Sequence, residues 1–172
     1  MTTGAISATT LTSLYEEHQV RLIRLAVLLV GDEATGEDVV QDVFLRMQDK
    51  APRLKDESKL LAYVRAAVLN GCQGVLRRRR LAWRRAEPHR PPVWSAESNV
   101  SLSEDRREVM RALQRLPRRQ REALVLRYYL GCNDLETAEA MGIKPGTVRS
   151  ITTRALAMLA KEMGEEMGGE VR

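Results

Sequence analysis

A proline-rich stretch divides this sequence into two halves that can each form helices. Residues 86–102, AEPHRPPVWSAESNVSL, hold three of the six prolines of the 172-residue chain and show no helical period. Proline lacks a backbone N–H and interrupts a helix, so this stretch predicts a flexible linker. We therefore expect two domains, residues 1–85 and 103–172, joined by a linker at residues 86–102.

Apolar residues on both sides of the linker recur at helical spacing. In the first half one stripe runs from Leu11 to Leu29 and ends at Gly31, and two further helical segments follow. His18 lies on this stripe, where a partly buried histidine is expected rather than a ligand. The chain is rich in Ala, Leu, Arg and Glu and shows no strand pattern. The predicted fold class is all-α, with two small helical domains.

The sequence lacks the marks of several classes of protein. It has no run of about 18 apolar residues, and its N-terminus does not resemble a signal peptide. Cys72 and Cys132 are far apart and only two histidines occur, so neither a disulfide framework nor a metal site is expected. No P-loop and no nucleophile–base set is found. We expect a cytoplasmic protein that is not an enzyme, needs no cofactor and has no membrane partner.

Charge is distributed unevenly along the chain. Residues 15–49 carry eight acidic and three basic residues, whereas residues 77–92 carry seven basic residues and one acidic residue. Residues 140–161 contain four basic residues and no acidic one. One charged run is often only a solvated face, but two basic zones indicate polyanion contacts at two places. The acidic region suits a different partner.

The second half contains the pattern of a helix-turn-helix. Asn133 and Glu136 have the spacing of a capping box before a short helix. Ala138, Gly142 and Val148 then supply a small residue at the helix crossing, a glycine in the turn and a branched apolar residue in the second helix. We expect this second helix to be the one that enters DNA, since that is its place in the motif.

The outward face of the second helix is polar. The helix begins at Pro145, whose missing N–H is not needed in a first turn. At about 100° per residue from Val148, Ala155 and Leu159 fall on the buried side and Ile151 lies about 60° away, which predicts its burial. The opposite face carries short polar side chains and arginines, which suit base edges and phosphates. These residues are Gly146, Thr147, Arg149, Ser150, Thr153 and Arg154.

Three blocks of the sequence resemble the extracytoplasmic-function subfamily of bacterial RNA polymerase sigma factors. GEDVVQDVFLR resembles the core-polymerase-binding segment, AYVRAAVLNGCQGVLRRRR the −10 recognition helix, and LPRRQREALVLRYYLGCNDLETAEAMGIKPGTVRS the −35 reading domain. The resemblance implies a factor that binds core RNA polymerase, recognises −35 and −10 elements and helps melt DNA. Its implied partners are the clamp region of the large polymerase subunit and promoter DNA. It also allows an anti-sigma factor as a partner.

The resemblance implies roles for individual residues. Core-polymerase contacts are implied for Asp38, Gln41, Asp42, Phe44 and Arg46. Contacts with −10 DNA are implied for Arg53, Ser58, Tyr63, Asn70, Arg77, Arg78, Arg79 and Arg80. Among these, the Asn70 amide would read a flipped base, because it offers both a donor and an acceptor. The loop Arg53–Lys59 would form the other wall of that pocket, and the run of four arginines would neutralise phosphates.

Several positions depart from the family pattern. Tyr63 stands where relatives usually have tryptophan, Thr137 where they have isoleucine, and Lys144 where a serine-like cap is common. Ile151 and Thr152 reverse the usual order of a basic and an apolar residue. The alternative function is a stand-alone helix-turn-helix transcriptional regulator. Such a protein would normally dimerise on a palindrome, and it would not explain the GEDVVQDVF block.

Overall fold

The computed structural model describes residues 7–50, 53–54, 56–85 and 104–169. Within these ranges every regular element is helical, which confirms the predicted all-α class. A 3-10 turn at Glu57–Lys59 and a π-helical turn at Val125–Tyr129 accompany the α-helices. The α-helices of the described ranges are α1 (Ala8–Val30), α2 (Glu33–Lys50), α3 (Leu60–Arg85), α4 (Glu104–Arg115), α5 (Arg118–Leu124), α6 (Asp134–Met141) and α7 (Pro145–Gly169). The predicted linker lies outside the described residues.

Helices α1 to α3 form the first lobe, which is the described part of residues 7–85. Glycines set the distances between these helices. A Cβ atom at Gly36 would lie 2.7 Å from Val27 Cγ2, and one at Gly71 would lie 2.9 Å from Val39 Cγ1. Helix α2 therefore packs closely on both neighbours only because these two positions lack side chains.

Asp32, and not Thr35, caps the start of α2. Helix α2 begins at Glu33, and the carboxylate of Asp32 accepts a hydrogen bond from the Thr35 N–H at 2.9 Å. Asp32 is therefore the capping residue, because an ionised carboxylate at this position satisfies a free N–H and opposes the helix dipole. The end of α1 at Gly31, with φ of 97°, is as predicted.

Helices α4 to α7 form the second lobe, residues 104–169. The predicted capping box at the start of α6 is present, with Asn133 and Glu136 exchanging two hydrogen bonds of 2.9 Å. Gly142 follows with φ of 63°, and α7 begins at Pro145. Val148 is completely buried, and α6 and α7 pack on each other. The predicted helix-turn-helix, α6 and α7, is confirmed.

The two lobes pack against each other, which the sequence did not indicate. Leu126 and Met141 of the second half belong to the same buried apolar cluster as Leu25 and Val68 of the first. Polar contacts join the lobes as well. They are Gln73 Nε2 to Glu122 Oε1 at 3.1 Å, Arg21 Nη2 to Leu130 O at 3.3 Å, and the ion pair between Arg65 and Glu136 at 3.7 Å. We call this set of contacts the lobe interface.

Side chains satisfy the C-terminal carbonyls of α1 at the lobe interface. A helix leaves its last carbonyls without an internal donor, and burial without a partner is costly. Three donors reach them, two from the second lobe: Gln114 Nε2 to Leu28 O at 2.8 Å, Arg121 Nη1 to Leu29 O at 2.7 Å, and Arg79 Nη1 to Val30 O at 2.8 Å. No helix within the described ranges is long and apolar enough to span a bilayer.

Candidate polymerase and promoter interfaces

A groove of about 670 Å³ lies between α2 and α3 in the first lobe. Asp38, Asp42 and Arg46 line it from α2, and Asn70 and Arg78 line it from α3. The structure therefore brings residues predicted for polymerase binding and residues predicted for −10 DNA to the same groove. Such a place can hold a strand of DNA beside a protein partner.

The acidic side of the groove is open to a partner. Asp38, Gln41 and Asp42 are exposed, and Asp42 forms an ion pair of 2.7 Å with Arg46 one turn later. Phe44 is different: it is 7% exposed and packs edge-on against Tyr15, with ring centroids 4.8 Å apart. Phe44 therefore supports this surface from beneath instead of contacting a partner directly.

Leu45 is an exposed residue on α2 that the sequence analysis missed. It lies four residues after Gln41 and therefore on the same helical face. Leu45 and Gln41 also line a smaller cleft of about 370 Å³ between α1 and α2, together with Leu11 and Tyr15. The spacing 38, 41, 42, 45 could have revealed it, because those positions share one face of a helix.

The −10 side of the first lobe presents a row of side chains along α3. Asn70 and Tyr63 are both exposed and lie seven residues apart, which places them on one face about two turns apart. Arg53 is also exposed, and it precedes the 3-10 turn that leads into α3. Ser58 donates its hydroxyl to the Asp56 carboxylate and so shapes that turn. Asn70 and Tyr63 are thus the two side chains of this row that are exposed and have groups able to contact a base.

Arg79 has a different role from its neighbours. Its guanidinium donates to Val30 O, to Asp32 at 2.7 Å and to Thr35 at 2.8 Å. Burial alone would raise the pKa of Asp32, but hydrogen bonds from Thr35 and Arg79 outweigh this effect and lower it. The predicted phosphate contact does not suit Arg79, because its donors hold α3 to the junction of α1 and α2.

The remaining arginines at the end of α3 are available to DNA. Within the described ranges they form no hydrogen bond or ion pair, and their side chains are exposed: Arg77, Arg78, Arg80, Arg84 and Arg85. Trp83 and Leu81 are exposed between them. Neither residue was predicted from the sequence, although an aromatic side chain within a basic run is a known signal of nucleic-acid binding.

In the second lobe the outward face of α7 is exposed as predicted. All six predicted −35 contacts lie there: Gly146, Thr147, Arg149, Ser150, Thr153 and Arg154. Ile151 is only half-buried, whereas Thr152 is 7% exposed. Thr152 lies about 40° from Val148 at 100° per residue, closer to the buried side than Ile151. Its hydroxyl donates to Val148 O at 2.8 Å, so the helix itself satisfies this buried polar group.

An ion-pair cluster joins α7 to α6, and no sequence pattern predicted it. Asp134 accepts a hydrogen bond of 2.7 Å from Arg149 Nε, and its other carboxylate oxygen pairs with Arg127. The hydrogen bond from Arg149 and the charge of Arg127 lower the pKa of Asp134. The carboxylate is therefore ionised at neutral pH, and the cluster carries a net charge of about one positive unit.

Together, the two lobes present the exposed face of a helix-turn-helix and, on α2, a separate surface with exposed acidic side chains. Residues 14–82 match the model of Sigma-70 region 2, and residues 106–159 match that of Sigma-70, region 4. The chain is 31% identical over 153 residues to the extracytoplasmic-function sigma factor SigM of Mycobacterium tuberculosis, covering 88% of this chain and 76% of the relative. It is 32% identical over 144 residues to the RNA polymerase sigma-E factor of Streptomyces coelicolor, covering 83% and 79%.

Solved structures share this fold. The sigma factor RpoE bound to the anti-sigma factor NepR, from Bartonella quintana, has a TM-score of 0.70 at 22% identity, covering 89% of this chain and 98% of that one. CnrH bound to the cytosolic domain of CnrY has a TM-score of 0.67 at 23% identity, covering 90% and 88%.

The chain belongs to the extracytoplasmic-function family of RNA polymerase sigma factors. It binds core RNA polymerase and promoter DNA and directs promoter-specific initiation. A stand-alone helix-turn-helix regulator would lack the region 2 match over residues 14–82.

Proposed function

We propose that two surfaces of this sigma factor divide the work of promoter recognition. Residues 1–85 bind core polymerase and the −10 element, residues 103–172 read the −35 element, and residues 86–102 join them. The groove between α2 and α3 carries this proposal, because it places Asp38 and Asp42 beside Asn70. The exposed face of α7 supports the second part.

The acidic wall of the groove is the proposed polymerase contact. Asp38 and Asp42 are exposed, and two carboxylates beside each other attract a basic protein surface and repel DNA phosphates. Gln41 and Leu45 add a polar and an apolar contact on the same face. Arg46 pairs with Asp42 in the free protein and would be available to a partner that displaces it.

The wall formed by α3 is the proposed site of −10 recognition. Asn70 reads an unstacked base through its amide, and Tyr63 offers an exposed ring for packing on it. Arg53 is exposed and is assigned to the same DNA contact, while Ser58 fixes the 3-10 turn before α3. The exposed arginines Arg77, Arg78 and Arg80 neutralise the phosphates of the strand.

Reading of the −35 element is assigned to α7 in the major groove. Arg149 lies near the N-terminal end of this helix, which is the end that contacts bases in this motif. Thr147, Ser150 and Thr153 provide hydroxyls, and Gly146 permits close approach of the backbone. Arg154 lies further along and is assigned to a phosphate.

Three further features complete the proposal. The protein acts without a cofactor, a metal or a reaction of its own, since recognition by the two lobes is sufficient for its role. It works in the cytoplasm, where polymerase and promoters lie. An anti-sigma factor is proposed as a further partner. Two solved structures of the same fold each contain a bound protein, the anti-sigma factor NepR in one and the cytosolic domain of CnrY in the other.

The polymerase surface is tested by charge reversal in the full-length chain. Asp38→Lys with Asp42→Lys should lower affinity for purified core polymerase at least tenfold and abolish run-off transcription. The matched control is Glu33→Lys with Glu37→Lys, which makes the same charge change at i,i+4 spacing on exposed α2 positions outside the groove. Equal losses in both double variants, or unchanged core binding in the first, would contradict the assignment.

The −10 pocket is tested by Asn70→Ala. This variant should bind core polymerase normally but form open complexes on duplex promoters several-fold less often, because a flipped base loses its partner. A pre-melted template should recover only part of the loss, since the pocket is still defective. Full activity of Asn70→Ala on a duplex promoter would remove this residue from the site.

A further inference from the structure

Asp134 links the recognition helix to the body of the second lobe through two arginines. Its Oδ2 atom accepts from Arg149 Nε at 2.7 Å, and its Oδ1 atom accepts from Arg127 Nη1. The Asp134 side chain is 20% exposed and that of Arg149 is 80% exposed. A largely covered carboxylate therefore holds a largely exposed guanidinium.

The choice of atom matters for what Arg149 can do. Arg149 uses its Nε–H to bind Asp134, and within the described ranges its two terminal nitrogens have no partner. Those terminal nitrogens form the fork that donates two parallel hydrogen bonds to guanine O6 and N7. The contact with Asp134 thus fixes the side chain and leaves the base-reading end free.

Asp134 is itself held in place from two sides. It follows Asn133, whose capping box with Glu136 fixes the backbone at the start of α6. Arg127, from the π-helical turn Val125–Tyr129, grips the other carboxylate oxygen. A support of this kind removes rotamer freedom from Arg149 before DNA arrives, so less entropy is lost on binding.

We propose that Asp134 is a positioning residue that presents Arg149 to a guanine of the −35 element. The inference rests on the proposed function, in which Arg149 contacts a base. Asp134 has a second effect, because its negative charge lies near the DNA-binding face and repels phosphates of any sequence. Asp134 therefore strengthens binding to the specific sequence and weakens binding to unrelated DNA.

These two effects give Asp134 variants an unusual signature. Removing the carboxylate frees Arg149 to find phosphates, so discrimination between bases falls. The same change adds one unit of positive charge to the DNA-binding face, so affinity for unrelated DNA rises and its salt dependence steepens. A residue that only stabilised the packing of α6 on α7 would behave differently, because its loss would weaken binding to every sequence alike.

The experiment uses the holoenzyme reconstituted from the full-length chain and core polymerase. Duplexes selected by the wild-type protein from a library randomised in the −35 element serve as probes, with each base then changed singly. Asp134→Ala should reduce discrimination at one guanine position by roughly tenfold, within the range of a bidentate contact. Affinity for an unselected duplex should increase. Asp134→Asn keeps an acceptor oxygen, so its base discrimination should lie between that of the wild-type protein and that of Asp134→Ala.

Three comparisons decide the outcome. Glu139→Ala removes an equal charge from an exposed position of α6 and should leave base discrimination unchanged. Arg149→Ala should lose discrimination at the same position, and Asp134→Ala should add nothing to it. If Arg149→Ala loses discrimination but Asp134→Ala and Asp134→Asn do not, the positioning role is wrong. If Arg149→Ala itself changes no base preference, the proposed base contact of Arg149 is wrong instead.

Discussion

At the scale of single residues, exposure separates side chains that contact partners from those that hold the fold. The run Arg77–Arg80 shows this within one helical turn, since four identical residues have two different roles. Three of them point to solvent, and Arg79 turns inward because α3 at that position faces the end of α1. Sequence alone predicted one role for all four, because identical letters carry no information about the neighbouring helix.

The arginine run makes a prediction with a built-in control. Arg79→Ala removes three hydrogen bonds that join α3 to α1 and α2, and should lower the free energy of unfolding by roughly 1–3 kcal/mol. Arg78→Ala should leave stability unchanged and instead reduce the salt dependence of −10 DNA binding by about one phosphate contact. Thermal melts and salt titrations measure the two effects. A stability loss for Arg78→Ala equal to that for Arg79→Ala would refute the division.

At the scale of elements, the sequence predicted best what is local. The capping box at Asn133 and Glu136 and the ends of α1 and α6 depend on residues a few positions apart, and the structure has them where the pattern indicated. The cap of α2 is harder to predict, because Asp32 and Thr35 lie three residues apart and both have capping side chains. The pairing of Asp134 with Arg149 spans fifteen positions and depends on how α6 crosses α7.

Helix α7 makes the second prediction. Thr152 is buried and Ile151 is half-buried, so arginine should be tolerated at one position and not at the other. Ile151→Arg should cost about 1 kcal/mol or less of stability, because a long side chain can keep its stem on the protein and its charge in water. Thr152→Arg would bury the charge and should unfold the second lobe. Circular dichroism melts of the full-length variants distinguish them, and equal midpoints would mean that α7 is rotated from the position described.

At the scale of the whole molecule, the lobe interface sets a limit on promoter binding. The two promoter elements lie about 25 base pairs apart, or roughly 85 Å at 3.4 Å per base pair. In the packed arrangement Arg65 contacts Glu136, and Asp134 contacts Arg149, so a short path joins the two reading surfaces. Helix rise and side-chain lengths limit the distance between Asn70 and Arg149 to roughly 40 Å. If Asn70 and Arg149 contact the two elements as proposed, the packed lobes cannot reach both elements at once, and we expect the lobes to separate.

Separation of the lobes is the third prediction. Spin labels at exposed positions Val20 of α1 and Leu156 of α7 should report a longer distance in the promoter complex than in the free protein. Holoenzyme without DNA shows whether polymerase alone opens the interface. An unchanged distance in the complete promoter complex would mean that the lobes read DNA while packed, contrary to the spacing of the elements.

The last prediction concerns how pH shifts the packing of the lobes. Glu122 is 2% exposed and accepts a hydrogen bond from Gln73 of the first lobe. Burial raises its pKa, against the lowering effects of Arg118, Gln73, Arg119 and Arg121. The packed state therefore binds more protons than the separated state at pH values just above the ordinary glutamate pKa, and packing should strengthen as pH falls through that window.

Because burial raises the pKa of Glu122, its ionised form packs less favourably at the lobe interface than its protonated form, so ionisation favours opening. Glu122→Gln removes the charge, keeps an acceptor for Gln73, and should give tighter packing that no longer depends on pH in this window. The distance between the two spin labels measures this effect, recorded across this pH range for the free wild-type protein and for free Glu122→Gln. A pH dependence that persists in Glu122→Gln would assign the effect to another group, and an absence of any dependence in the wild-type protein would show that Glu122 stays buried when the lobes part.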